Sequence, residues 1–339
     1  NPSSAASDEY KRQPPALPHP ATSRSELAAH QYDELRLAGD NLRIVAASGP
    51  FTETHNLDYE PWHAFMTHVE ALKPDVLVLM GPFVSASHPA IATGDVDELP
   101  TDMFKRHIAR RLARLTERSP STLPILVPST EDVFHAHHAY PQPFLDKTDP
   151  SLGLPKRVRC LPNPSVFYVN ELAIGVSTAD VLSDLRREEL VQRVQPSGEA
   201  RGTPGAKAAD LMSRLSRHVL SQRSFYPLFP AAQLPLDLSH SRLCALDQVT
   251  PDLLLLPSPR VKSFLRVVDS TMVANPGTLA RVDATAPAPA FVRLQVAPMA
   301  RNALYQGTEA DAELVTHELY QRCLLYTSDA ADEGVGVEL

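Results

Sequence analysis

In LRIVAASGPF (Leu42–Phe51) and VLVLMGPF (Val76–Phe83) two apolar runs, Leu42 to Ala47 and Val76 to Met80, each stop in a Gly-Pro turn, Gly49-Pro50 and Gly81-Pro82. Between them Trp62, Phe65, Met66, Val69 and Leu72 recur at the spacing of an amphipathic helix, and Pro74 closes it. Strand, helix, strand in that order predicts parallel strands joined by a right-handed crossover. In open α/β sheets the chemistry sits in the loops past the carboxyl ends of the strands. Here those tips read Ser48-Gly49-Pro50 and Gly81-Pro82, with no carboxylate and no histidine.

Outward from this unit, 339 residues with 43% hydrophobic content are enough for a substantial core. The 32 prolines imply extensive loops, and a net charge of −8 argues against coating nucleic acid by bulk electrostatics. Lys105-Arg106 with Arg110-Arg111 is a local basic patch, read first as a solvated helix face. Cys160, Cys244 and Cys323 fit neither a disulfide framework nor a zinc module, which points to a reducing compartment. No apolar run reaches the ~18 residues of a membrane span. The chain starts without Met or a signal-peptide pattern and reads as a fragment.

Residues 1–40, rich in Pro, Ser and Ala, read as a disordered linker, with a short helix at Ser25 to Leu37 as an option. The folded unit is expected over 41–322. It continues with a helix over 101–117, with Phe104, Ile108, Leu112 and Leu115 on one face, and a third buried strand at 124–128 ending in Ser129-Thr130-Glu131-Asp132. A hairpin turns at Asn170, a cap follows at 177–180, and 195–206 is a flexible insertion. A helix carrying Leu211, Met212, Leu215 and Val219 runs into QRSFYPL at 222–228, where Phe225 and Tyr226 read as core or as a partner anchor. Further strands are expected at 252–256, 271–274 and 291–296, the first two ending in Pro257-Ser258-Pro259-Arg260 and Asn275-Pro276-Gly277. Pro74 and Pro251 place Asp75 and Asp252 at strand starts, away from the tips. From Cys323 the sequence reads as a translated library adapter, so 323–339 is expected to be a non-native tail in place of a closing strand.

His135, His137 and His138 form the densest set of metal-binding residue types, but a site needs further ligands at convergent positions. The competing reading is a surface loop whose histidines contact backbone.

The order of strands and tips resembles the calcineurin-like metallophosphoesterase fold, α/β, with two packed mixed sheets flanked by helices. Active members of that family hold two metals with Asp-x-His, Gly-Asp, Gly-Asn-His-Asp/Glu and Gly-His-x-His motifs, which clamp phosphate and activate water. On this resemblance the motifs fall on Ser48-Gly49-Pro50, on Gly81-Pro82, on Ser129 to Asp132 with Thr130 and Glu131 at ligand positions, and on Ser258-Pro259-Arg260. Disturbing a group one step removed from an ion already costs roughly 10–100-fold in affinity, so six lost ligands lower it by about 10⁶-fold or more. Arg260 adds a repelling charge. The implied centre is inactivated, with no catalytic residue, metal or cofactor.

A narrower resemblance follows from ASGPFT (47–52), LMGPFV (79–84), His88-Pro89, YPQPF (140–144), STADVL (177–182), QRSFYPLFP (222–230), PDLLLLPS (251–258) and NPG (275–277). In this order they are similar to the B subunits of DNA polymerase alpha–primase. The resemblance implies a non-catalytic nuclear scaffold subunit that binds the C-terminal region of the polymerase catalytic subunit in replication initiation. It would meet primase through the complex, touch DNA weakly or indirectly, and contact no membrane. An OB domain precedes the phosphoesterase domain in that family and is not found in this sequence. Two alternatives are carried forward. One is the equivalent subunit of polymerase delta or epsilon. The other is a divergent phosphoesterase using His135, His137, His138 and Asp132.

Overall fold

The computed structural model describes residues 21–34, 36–190, 210–246, 248–300, 314–316, 322–329 and 335–337. The insertion expected at 195–206 lies outside them, as do residues 1–20 of the expected linker.

The described chain opens with Ala21–Ser23 (β1) and Arg24–Tyr32 (α1), which Ser23 closes in a capping box with Glu26. Leu27 and Gln31 are buried, so the linker expected over 1–40 does not extend across this helix. The helix also starts earlier and stops sooner than the Ser25-to-Leu37 option.

The central unit follows its reading closely. Leu42–Ser48 (β2), Glu60–Leu72 (α2), Val76–Met80 (β3), Pro89–Thr93 (α3), Pro100–Met103 (α4), a π-helical turn at Phe104–Ala109, Arg110–Arg118 (α5) and Leu123–Val127 (β4) succeed one another. β2, β3 and β4 are parallel neighbours, and a short Arg159–Cys160 (β5) extends them in parallel. Ser165–Val169 (β6) and Leu172–Val176 (β7) form the hairpin at Asn170, which adopts φ 55°. Val181–Glu188 (α6) and Leu211–Ser221 (α7) precede Leu253–Leu255 (β8), Phe264–Val268 (β9), Thr271–Asn275 (β10) and Ala290–Val296 (β11). Leu314–Thr316 (β12), Cys323–Asp329 (β13) and Val335–Val337 (β14) complete the described strands.

Seven strands make one mixed sheet, β14-β13-β11-β2-β3-β4-β5, five make a second, β6-β7-β8-β10-β9, and β1 pairs with β12. β13 pairs antiparallel with β11 from Val296↔Cys323 to Ala290↔Asp329. A strand therefore does follow Arg322, where the sequence led us to expect none.

The period of two in a strand sorts residues to opposite faces. Ile44 and Ala46 join Val78, Met80, Ile174, Leu253 and Met272 in the core between the sheets. Val45 and Ala47 face outward to Trp62, Phe65, Met66 and Leu112. Trp62 is fully buried and its indole N–H donates to the His107 carbonyl at 3.0 Å, so its polar edge is satisfied within the apolar layer. Phe225 and Tyr226 lie in a third cluster on the outer face of the smaller sheet, with Leu215, Val219 and Leu254. β2, β3 and β4 share one direction, as do β7, β8 and β10, and the loop after β4 is hydrogen-bonded to the loop after β7. The tips of both parallel triplets therefore meet at one end.

Candidate functional site

The tips form one connected surface. The Gly49–Pro50 and Gly81–Pro82 peptides are both cis. A Cβ on Gly49 would collide with the Pro82 carbonyl oxygen, and one on Gly81 with the Asp132 carboxylate, so only glycine lets the loops close on each other. Ser48 is buried and its hydroxyl donates to the Gly81 carbonyl at 3.3 Å. The Leu279 and Ala280 amides donate to the carbonyls of Ser48 and Pro50 at 2.9 and 3.0 Å, tying the loop after β10 to the same point.

Asp132, at the third tip, is fully buried. Its carboxylate accepts from the backbone N–H groups of Phe83 at 2.5 Å, Val84 at 3.1 Å and Ser129 at 2.8 Å. Burial pushes its pKa up to about 7 against the pull of those three bonds. It staples the second tip to the third. Glu131 turns away from the interior and accepts from the Ser85 and Ser87 hydroxyls at 3.2 and 3.3 Å. The Thr130 carbonyl meets His138 Nδ1 at 3.3 Å.

On the smaller sheet, Ser258 is buried and its hydroxyl lies 3.2 Å from that of Ser183. Asn275, also buried, accepts from the Ser258 and Gly277 amides at 3.0 and 2.9 Å and donates to the Val261 carbonyl at 2.9 Å. Arg260 points outward to Asp283 at 2.7 Å. Its expected repulsion of an ion inside the site is therefore replaced by a surface ion pair.

The histidine cluster does not converge. His135 Nδ1 contacts the His137 carbonyl at 2.9 Å, and burial lowers its pKa. Among the described residues, no three His, Cys, Asp or Glu side chains come together to hold an ion. The two-metal centre of the fold does not fit the donors at these tips. Two are prolines, two are buried serines, and the one buried carboxylate is spent on backbone.

Several tip residues gave no sequence signal. Asn163 accepts from the Thr178 amide and donates to its hydroxyl, and that hydroxyl donates to the Pro128 carbonyl at 2.9 Å, which bridges the sheets. Gln142 donates to the Ser129 carbonyl at 3.1 Å. Asn163 and Gln142 act on partners distant in sequence, and periodicity carries no such information. The cap expected at 177–180 is made by Asp180, whose carboxylate accepts from the Ser183 amide at the start of α6 and is held up in pKa by burial.

The profile of the family described as the B subunit of DNA polymerase alpha/epsilon matches residues 44–266. The chain is 33% identical over 273 residues to the DNA polymerase alpha B subunit of Schizosaccharomyces pombe, covering 78% of this chain and 44% of that protein. It is 27% identical over 349 residues to the protein of that name from Saccharomyces cerevisiae, covering 90% and 47%. For the Bos taurus protein of that name the identity is 32% over 242 residues, covering 71% and 37%. The chain thus spans less than half the length of these relatives. Among solved structures it is similar to Chaetomium thermophilum Vps29, with TM-score 0.40 and 12% identity, covering 88% of this chain and 95% of that one.

Proposed function

Because the chain belongs to the family of DNA polymerase alpha/epsilon B subunits, we propose that it is the phosphoesterase-like part of a non-catalytic accessory subunit of DNA polymerase alpha. In this reading it works in the nucleus as a docking body for the C-terminal region of the polymerase catalytic subunit and reaches primase through the complex. The relatives named as B subunits of polymerase alpha favour alpha over delta or epsilon. The observation that carries the non-catalytic half is Asp132. The one buried carboxylate at a ligand-motif position already accepts three backbone hydrogen bonds. Pro50, Pro82, Ser258 and Arg260 supply no carboxylate or imidazole beside it.

The test has two arms. The 339-residue chain should co-purify with the C-terminal region of an alpha catalytic subunit and should not hydrolyse a phosphodiester such as bis-p-nitrophenyl phosphate with Mn²⁺ present. Hydrolysis that disappears when His135, His137 and His138 become alanine would establish the divergent-enzyme reading instead. Capture by the delta or epsilon catalytic subunit, and not by alpha, would move the assignment to that complex.

A further inference from the structure

Between Pro100 and Arg118 the chain carries six cations and two acids, although its net charge is −8. Arg106, Arg110, Arg114 and Arg118 recur at every fourth position, and all four are exposed. Four residues of α-helix advance about 6 Å, so Arg110, Arg114 and Arg118 form a ridge roughly 12 Å long on α5, with Arg106 preceding it in the π-helical turn. Its counter-charges are few. Arg111, Arg114 and Arg118 share the single carboxylate of Glu70 on α2, at 3.3, 3.7 and 2.7 Å. Arg106 pairs with Glu98 at 2.8 Å, and the Lys105 ammonium donates to the Pro150 carbonyl at 3.3 Å. One glutamate beneath three arginines orders them without neutralising them.

We propose that this ridge, Arg106 with Arg110, Arg114 and Arg118 of α5, is a binding surface for a nucleic-acid phosphate backbone. Guanidinium forks bind phosphate oxygens strongly and without reading sequence. The alternative occupant, an acidic protein segment, would require apolar anchors, because protein interfaces draw their affinity from buried aromatic and aliphatic side chains. The ridge has none. Leu99, just before α4, is the nearest exposed large apolar side chain in sequence. Phe144, Val166, Tyr168, Phe229, Leu238 and Leu243 belong to other segments. A surface rich in cations and without apolar anchors fits a ligand whose contacts are anions. This assignment goes beyond the docking role and does not depend on it.

The experiment measures binding of the 339-residue chain to a labelled duplex and to a labelled single strand as a function of salt. The logarithm of affinity should fall linearly with the logarithm of salt concentration. R110Q/R114Q/R118Q should reduce that slope by about 2–3 on duplex, or about 2 on a single strand, and weaken binding at least roughly tenfold at low salt. R110K/R114K/R118K should keep the slope, since lysine preserves the charge. R106Q/R110Q leaves the Glu70 cluster intact and should lower the slope by about 1–2, which keeps the test valid if the triple variant misfolds. The proposal fails if the parent chain binds neither strand form at low salt, or if a folded glutamine variant keeps the full slope. It fails equally if the lysine variant behaves like the glutamine one. Displacement of bound DNA by poly-glutamate more readily than by unlabelled DNA of equal charge would assign the ridge to an acidic protein instead.

Discussion

Pro74–Pro82 (PDVLVLMGP) in the larger sheet and Pro251–Pro259 (PDLLLLPSP) in the smaller are built on one plan. In the first, the Asp75 amide donates to the Arg43 carbonyl at 2.9 Å and its carboxylate accepts from the Arg43 amide at 2.8 Å. In the second, the Asp252 amide donates to the Ala173 carbonyl at 2.8 Å and its carboxylate accepts from the Ala173 amide at 2.9 Å. On the other side, the hydroxyls of Thr122 and Thr271 donate to the Pro74 and Pro251 carbonyls. β2-β3-β4 and β7-β8-β10 are thus parallel triplets pinned by the same device, a Pro-Asp pair at the start of the middle strand. The difference lies in what covers it. Asp75 is partly exposed beside Arg43 at 3.5 Å. Asp252 is buried, near Glu171 and Arg322, and burial pushes its pKa up to about 7. The same hydrogen bonds set register in both sheets, and the cover over Asp252 is what raises its pKa.

The largest difference between the triplets should come from a single methyl group. Gly49→Ala, at the end of the first triplet, drives a Cβ into the Pro82 backbone, which cannot swing aside. The expected loss is roughly 4–5 kcal/mol, at the severe end for point substitutions. Gly175→Ala, in the second triplet, meets Leu254 Cδ1 at 3.0 Å and Phe225 Cζ at 3.4 Å, both movable ends of side chains. It should cost about 1–2 kcal/mol, the lower part of the range for an added core methyl. Urea unfolding of both variants checks this, and equal losses would show that the first tip is no tighter than the second strand.

How far such features were legible depends on their range. β3 was read at its observed bounds, and β2, β4 and β11 to within a residue, because apolar runs ending in Gly-Pro or proline turns are local signals. The helical stripe of Trp62 to Leu72 likewise became α2. The edge strand β9 was missed because Arg266 and Val267 are both exposed and break the alternation expected of a half-buried strand. At the tips, the residue types at 48, 50, 82, 130, 131, 258 and 260 were readable as poor ligands. The partners of Asp132 and the outward turn of Arg260 were not, since each depends on a chain segment brought in by the fold.

A middle-sized effect separates the two aspartates. A carboxyl with a raised folded pKa keeps its proton longer in the native than in the unfolded chain, where the usual value is about 3.9. For Asp252, stability should therefore fall as pH rises from about 4 through about 7, and the loss should be complete above that range. Asp252→Asn removes the titration and keeps an acceptor for the Ala173 amide. Near pH 4 the variant should match its parent, and near pH 8 it should be more stable by roughly 4 kcal/mol, from about three units at 1.36 kcal/mol each. His107, lowered to about 4 by burial and by Arg106 and His63, pulls the other way, so the difference between variant and parent is the quantity to measure. Asp75→Asn should cost less than about 1 kcal/mol, as for other partly exposed ion pairs. A parent chain no less stable than Asp252→Asn at pH 8 would mean that the cover over Asp252 does not keep water out.

The smallest effect is the most direct test of equivalence. Thr122 and Thr271 are both fully buried, and their hydroxyls donate to proline carbonyls at 2.6 and 2.9 Å. Valine keeps the β-branched shape that suits a strand and deletes only the hydroxyl. A neutral hydrogen bond contributes about 1 kcal/mol net, so each Thr→Val change should cost about that much. The two losses should agree within about 0.5 kcal/mol, and they should add in the double variant because Thr122, just before β4, and Thr271, in β10, serve different sheets without a shared partner. If Thr122→Val costs the full amount and Thr271→Val costs nothing, the likeness of the two triplets is one of geometry only. Register in the smaller sheet would then rest on the packing of Leu253, Leu254 and Leu255, all of which are buried.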